Sequence, residues 1–276
     1  MLRSSYIRDL FSLATPPRSH SQRGAAALAS NRSRRIDRRG LTLLELVIVL
    51  TILVALSGMA IPLIDGFGHQ SNAAVNATIV GEVNRAIGVH EARFEKHASG
   101  WDSLLNTGGS MFSKLHASLS AVLQVTTLTA AQVQSLQDAG IANIFDADES
   151  AAPNAPNTSS RNFVVGGKVA TLTKPGAGAA ILLDAFGINE STTDWPNEFV
   201  VFGLGSGTTL KGVSMMEIPL LQSVDPSLYY SRAVCVFVIP PAAGPTFPAR
   251  YIGCFMADGS TMRMNMATYN QARSNN

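Results

Sequence analysis

The stretch "RRGLTLLELVIVLTILVALSGMAIPL", Arg38 to Leu63, decides how this chain is organised. Two arginines and Gly40 stand before an apolar run whose early turns hold one carboxylate, Glu45. From Leu46 to Ile61 no residue is charged. A helix of about twenty residues rises roughly 30 Å, the depth of a bilayer's hydrocarbon core. Residues 41–64 are therefore expected to form a membrane-spanning helix in contact with lipid. An ionisable group within such a helix costs on the order of 3 kcal/mol and is by default functional. The blander reading of Glu45 is a side chain that snorkels to the headgroups from one turn into the run.

The charge distribution supports the same division. Residues 1–40 carry nine arginines and two aspartates, a net of +7, and residues 41–276 carry a net of −5. A basic arm directly before an apolar run reads as a cytoplasmic, positive-inside flank. A mildly acidic remainder with 7% aromatic residues gives no case for nucleic-acid binding. The run lies too far along the chain for an ordinary secretory signal, and "SGMAIPL" offers no convincing small-x-small cleavage site.

The stretch Gly40-Leu41-Thr42-Leu43-Leu44-Glu45, with the basic flank before it and Pro62 near the end of the apolar run, resembles the prepilin motif. This is the N-terminal signature of type IV pilins and type II secretion pseudopilins. The resemblance covers roughly residues 34–97 and implies a definite processing. Prepilin peptidase would cut after Gly40, at a position that needs a residue without a side chain. The cut would discard the leader, 1–40, and leave Leu41 as a methylated terminus. Glu45 would be the assembly residue, paired in a filament with the free amine of a neighbouring subunit. Leu41 stands where phenylalanine is usual, and a leader of forty residues is long for the family.

Past Pro62, the glycines Gly66 and Gly68 weaken a helix by about 1 kcal/mol each, and a kink is expected between two helical halves. Residues 65–97 read as an amphipathic helix, with Val75, Ile79, Val83, Ile87, His90 and Phe94 on one face. His90 is expected as a core or boundary residue. His90-Glu91 begins a zinc-protease pattern that fails at Phe94. "SGWDSLLN" (Ser99–Asn106) is expected to end the helix, with Trp101 and Leu104 clamping a loop. Residues 111–140 read as helical, with a capping box at Thr129 and Gln132 and a stop at Gly140. Asp146–Asn162, rich in Ala, Pro, Asn and Ser, reads as an exposed mobile loop. Short β-like runs follow, among them "NFVVGG", "KVATLT", "AAILLDAFG", "EFVVFGLG", "AVCVFVIP", "RYIGCFMA" and "TMRMNMA", with a turn at Asp258-Gly259. The expected fold is α+β: one long N-terminal helix, half membrane-spanning and half amphipathic, packed on an antiparallel sheet. Residues 98–276 form its extracytoplasmic body, as the pilin resemblance also implies.

"FGLGSGTTLKG" (Phe202–Gly212) follows a β-like run but lacks the order of a phosphate-binding loop and reads as a glycine-rich turn. Asp184, Asp194, Glu198 and Asp258 place acids near loops, without the order of an EF-hand. No catalytic arrangement, metal site or cofactor is expected. Cys235 and Cys254 flank a hairpin-like stretch on the side of the membrane where disulfides persist, and many pilins carry a disulfide near the C-terminus. Either a bridge between them or two buried thiols fits.

The reading that follows is a structural subunit, without catalytic activity, of a type II secretion pseudopilus. A minor or specialised subunit fits the 236 residues from Leu41 onward. Its partners would be prepilin peptidase, other pilin or pseudopilin subunits and an inner-membrane assembly platform. It would sit in the inner membrane as a single-pass protein with its body outside the cytoplasm. The alternatives are a minor pilin of a type IV pilus, or a singly anchored extracytoplasmic binding or enzymatic domain that uses a prepilin-type leader.

Overall fold

The computed structural model describes residues 42–173, 182–188 and 197–274, without the side chains of 59–70, 268, 269 and 272–274. The chain divides into two units at Leu53 and Val54, and each is described by itself. The backbone is helical over α1, Leu43–Phe94. The part of α1 up to Leu53 exposes its Leu, Ile and Val side chains, Leu43 by 81%. Pro62, Gly66 and Gly68 lie within the bounds of α1, where side chains are outside the described residues. Among the described residues no helix is long and apolar enough to cross a membrane; the span expected over 41–64 runs into those undescribed side chains.

The second unit is a mixed α+β body. Its eight strands are β1 (Trp101–Asn106), β2 (Leu123–Thr127), β3 (Asn143–Ala147), β4 (Ser159–Asn162), β5 (Lys168–Leu172), β6 (Glu198–Gly203), β7 (Val234–Ile239) and β8 (Arg250–Phe255). They form one sheet, ordered β2-β5-β6-β1-β3-β4, with β7 and then β8 branching from β6. Every pairing is antiparallel except β1 with β3. The fork is at β6. One edge of β6 pairs with β7 along six residues, and the other is shared by β5 at Val200 and β1 at Gly203.

Both faces of the central strands are covered, so these strands read as unbroken apolar runs. The side chains still alternate. Val200, Phe202, Cys235 and Phe237 point to one core, with Trp101 and with Val80, Val83 and Ile87 of α1. Phe199, Val201, Val234 and Val236 point to the other, with Leu104, Leu105, Phe112 and Leu119. The face that α1 buries is Ala73, Asn76, Ala77, Val80, Val83, Ala86, Ile87 and His90. It is rotated from the expected stripe: Val83, Ile87 and His90 hold, whereas Val75 and Phe94 are exposed by 44% and 46%. Small residues, not the largest apolar ones, let α1 lie close to the sheet.

Several local expectations are corrected. Ser99–Asn106 does not clamp a loop; it enters β1, and Trp101 and Leu104 are core residues exposed by 0% and 1%. Residues 111–140 hold only α2 (Ala117–Ser120) and α3 (Ala130–Asp138), with β2 between them. The β-branched stretch Val125-Thr126-Thr127 finds a partner in β5, and pairing overrides the helical reading. The Thr129/Gln132 capping box on α3 is present, and Gly140 follows at φ +91°. "TMRMNMA" lies in a helix, α4 (Met262–Ser274), because Thr261 caps it: its Oγ1 accepts from Met264 N at 3.3 Å. Leu182–Ala185 in "AAILLDAFG" form a helical turn. The Asp146–Asn162 segment is tied down. Asp146 lies in β3, where Ser103 Oγ donates to it at 2.6 Å and Arg161 Nε pairs with it at 2.7 Å.

Phe237 is the hub of the α1-side core, with ring centroids 5.4 Å from Trp101 and His97, 5.5 Å from Tyr251 and 5.8 Å from Phe202. Phe237→Ala is expected to lower unfolding free energy by about 3–5 kcal/mol in urea denaturation. His97 stands just after α1, edge-on to Phe237, with Nδ1 3.8 Å from Glu91 Oε2. Burial holds its pKa below the ordinary 6.5, with nearby His90 adding to this and Glu91 and the Ala249 backbone opposing. The unfolded chain therefore binds a proton that the folded chain resists. This contribution to stability is complete above about pH 6.5 and falls as pH drops below it. His97→Phe should remove that part of the slope, read by urea midpoints across pH 5–7.

Candidate processing and assembly segment

The segment that carries the sequence motif begins, among the described residues, at Thr42. Gly40, Leu41 and the leader lie outside them. Thr42 and Glu45 form a reciprocal hydrogen-bonded turn at the start of α1. Thr42 N and Thr42 Oγ1 donate to Glu45 Oε2 at 3.0 and 3.1 Å, and Glu45 N donates to Thr42 Oγ1 at 3.2 Å. This is a capping box, and it satisfies backbone N–H groups that a helix start leaves without partners. A carboxylate also suits the positive end of a helix dipole. The Thr-x-x-Glu spacing before an apolar run was the legible signal for it; reading Glu45 only as a misplaced charge passes over it.

Glu45 thus has a local reason to exist in its own chain. That reason does not use it up. The bonds from Thr42 fall on Oε2, and a carboxylate offers about four acceptor positions over two oxygens. The carboxylate is held at the mouth of a helix whose following residues present Leu46, Val47, Ile48, Val49 and Leu50 outward, each about half exposed.

The other candidates separate from this segment. Asp258 caps its own turn, accepting from Ser260 N and Oγ at 2.9 and 2.7 Å. Asp194 lies outside the described residues. Among the described residues no three His, Cys, Asp or Glu side chains gather to hold a metal ion. His90 is buried, with Nδ1 3.2 Å from the Lys96 carbonyl. Cys235 and Cys254 are free buried thiols, set opposite each other on β7 and β8.

A buried polar cluster had no warning in the sequence. Asp102 accepts from Tyr230 Oη and Asn157 Nδ2, both at 2.9 Å, and Arg232 Nη1 stands 3.7 Å from its Oδ2. Arg232 Nη2 in turn donates to the Asn154 carbonyl at 2.7 Å, and the Asn154 side chain bonds Tyr229 O and Ser231 N. Burial pushes the Asp102 carboxyl up, and Asn157, Arg232 and Tyr230 oppose it. The cluster ties the 148–158 loop and the 221–232 loop to β1. It also explains two glycines of Phe202–Gly212, Gly203 and Gly205. A Cβ on Gly205 would fall 2.1 Å from Asp102 Oδ1, and one on Gly203 would fall 2.1 Å from Tyr230 Oη. At these two positions the missing side chain lets backbone pass over the cluster, and at Gly207 it makes room for the Phe145 ring.

With the geometry in place, comparison with known proteins identifies the first part of the chain. Residues 35–61 match the prokaryotic N-terminal methylation motif. This is the prepilin-type cleavage and methylation signal, and it marks a precursor of the type IV pilin-like or pseudopilin kind. The prepilin motif implies processing by prepilin peptidase, assembly with pilin subunits and a membrane-anchored N-terminus. No curated protein and no solved structure matches the chain. The motif therefore speaks for the first part of the chain, and the body has to be read from its own geometry.

Gly205→Ala is expected to destabilise the body by about 1–3 kcal/mol, since the Asp102 carboxylate must move to admit a methyl group. The shift of the urea midpoint measures it.

Proposed function

We propose that this chain is a structural subunit of a type II secretion pseudopilus, minor or specialised, that acts by assembly and without catalysis. The observation that carries the reading is the prepilin motif, with Glu45 held in the first turn of an apolar helix. Prepilin peptidase cuts after Gly40, and Leu41 becomes the methylated terminus. Before assembly, residues 41–64 anchor the subunit in the inner membrane as a single-pass helix, with the body outside the cytoplasm. During assembly the same helix moves from lipid into the core of the filament. The exposed Leu, Ile and Val side chains suit both surroundings, because lipid tails and packed helices are equally apolar.

In this proposal Glu45 supplies register. In lipid the carboxylate is poorly solvated, and its hydrogen bonds from Thr42 leave most of its charge unneutralised. The amine of Leu41 on a neighbouring subunit neutralises it. A buried charge left alone costs several kcal/mol, whereas a paired one is tolerated, so wrong axial positions are penalised. The α+β body supplies the surface that faces outward, and the length of α1 up to Phe94 links it to the anchor.

The capping box allows the two roles of Glu45 to be separated. Glu45→Gln keeps an acceptor for Thr42 but removes the charge. It is expected to insert, to be cut at Gly40 and to fail to enter filaments, with incorporation falling at least tenfold on immunoblots of sheared filaments. Incorporation at the wild-type level would rule the register role out. N-terminal sequencing of the mature chain should begin at methylated Leu41, and Gly40→Leu should leave the precursor uncut on a gel. Filaments isolated with the components of a secretion system, and not at the cell surface, are the expected setting.

A further inference from the structure

Where β7 meets β8, the antiparallel register sets Cys235 directly opposite Cys254. Residues directly opposite in such a pair have Cα atoms about 4.5–5.5 Å apart, inside the roughly 4.4–6.8 Å that a disulfide spans. The pair lies under α1. The Cys254 thiol is 3.8 Å from the Val80 carbonyl and 3.6 Å from Asn84 Oδ1, and Tyr251 Oη donates to the same Asn84 oxygen at 2.5 Å. The two thiols are not equivalent. Cys254 lines a cavity of about 340 Å³ between α1 and α4, walled by Val80, Asn84, Phe186, Met262 and Met266. Cys235 does not line it; both side chains are buried, exposed by 0% at Cys235 and 2% at Cys254.

We propose that Cys235 and Cys254 form a peroxide-reactive dithiol site, with Cys254 the attacking sulfur and Cys235 the resolving one. A peroxide is small enough to enter the cavity, whereas a protein oxidant is not. The electrostatics run the same way. The hydrogen bond from Cys235 holds the Cys254 thiol below its ordinary range against the effect of burial, while burial pushes Cys235 well up. The thiolate is the nucleophile, so the cavity-facing sulfur is also the activated one.

The chemistry balances in two steps. The Cys254 sulfur, having lost its proton, attacks one oxygen of hydrogen peroxide. The O–O bond breaks, and the departing hydroxide takes up that proton as water, leaving Cys254 as a sulfenic acid. The Cys235 sulfur then attacks the Cys254 sulfur, the S–O bond breaks, and hydroxide leaves with the Cys235 proton as a second water. Two thiols and one peroxide give one disulfide and two waters.

The test uses the full chain in detergent, fully reduced and then freed of reductant. A small excess of hydrogen peroxide is added and remaining thiols are alkylated in denaturant. The expected intact mass is that of the chain less two hydrogens, with no alkyl group, restored by reductant. With peroxide below one equivalent and dimedone present, the trapped adduct should map to Cys254. Cys235→Ser should stop at a dimedone-trapped Cys254, and Cys254→Ser should leave Cys235 a thiol at the same dose. Two alkylatable thiols at a dose that oxidises a free cysteine peptide would overturn the proposal. So would dimedone on Cys235 of the wild-type chain, or bridges formed only between molecules. The dimedone mapping needs no variant, so a variant that fails to fold does not leave the question open.

Discussion

The body depends on one contact layer, where the buried face of α1 meets Phe237 and its neighbours. Val80, Val83 and Ile87 share a core with Trp101, Phe202 and Phe237. Each such side chain contributes about 1.5–3 kcal/mol when taken out of water. The sheet could not bury this face alone, because its other face is already occupied by Leu104, Phe112, Leu119 and their neighbours. The second half of α1 is thus one wall of the core. Ala73, Ala77 and Ala86 keep that wall close.

The second constraint is polar. A sheet that forks at β6 brings three strand ends and two loops to one point, where backbone direction changes and apolar contacts alone do not specify an arrangement. Asp102, Tyr230, Arg232, Asn157 and Asn154 meet there. Such a cluster costs desolvation, and the raised pKa of Asp102 records that cost. In return it fixes which loop crosses which strand. The glycines at 203 and 205 follow from it, since no side chain fits above the carboxylate and the phenol.

Much of the N-terminal logic was legible in the chain itself. Gly40, Glu45 and the apolar run are close in sequence, so motif spacing carries their meaning without tertiary structure, and residues 35–61 match the methylation motif. The capping box of Thr42 and Glu45 was equally local, and it adds a helix-starting duty to a residue first noticed for its charge. The strands "EFVVFGLG", "AVCVFVIP" and "RYIGCFMA" were legible because β-branched and aromatic residues crowd them. "TMRMNMA" misled, because alternating methionines imitate a strand while a Thr261 cap starts a helix. The buried stripe of α1 is rotated from the one that apolar spacing picks out, because Val75 and Phe94 outweigh alanine in any apolar count although alanine packs closer.

What the sequence determined by itself is therefore local: a prepilin-type cleavage and methylation motif after a basic arm, an apolar helix with a capped and charged start, and an α+β body behind it. What only the tertiary structure decided is what needs residues far apart in the chain. Asp102 met Tyr230 and Arg232 through a fork that no spacing encodes, and Trp101–Asn106 became a central strand because β3 and β6 were there to pair with it. Cys235 and Cys254, nineteen positions apart, came face to face through the register of β7 on β8. Period and composition report which surface a residue prefers. Pairing register and strand order report which residue it meets, and those are settled only when the whole sheet closes.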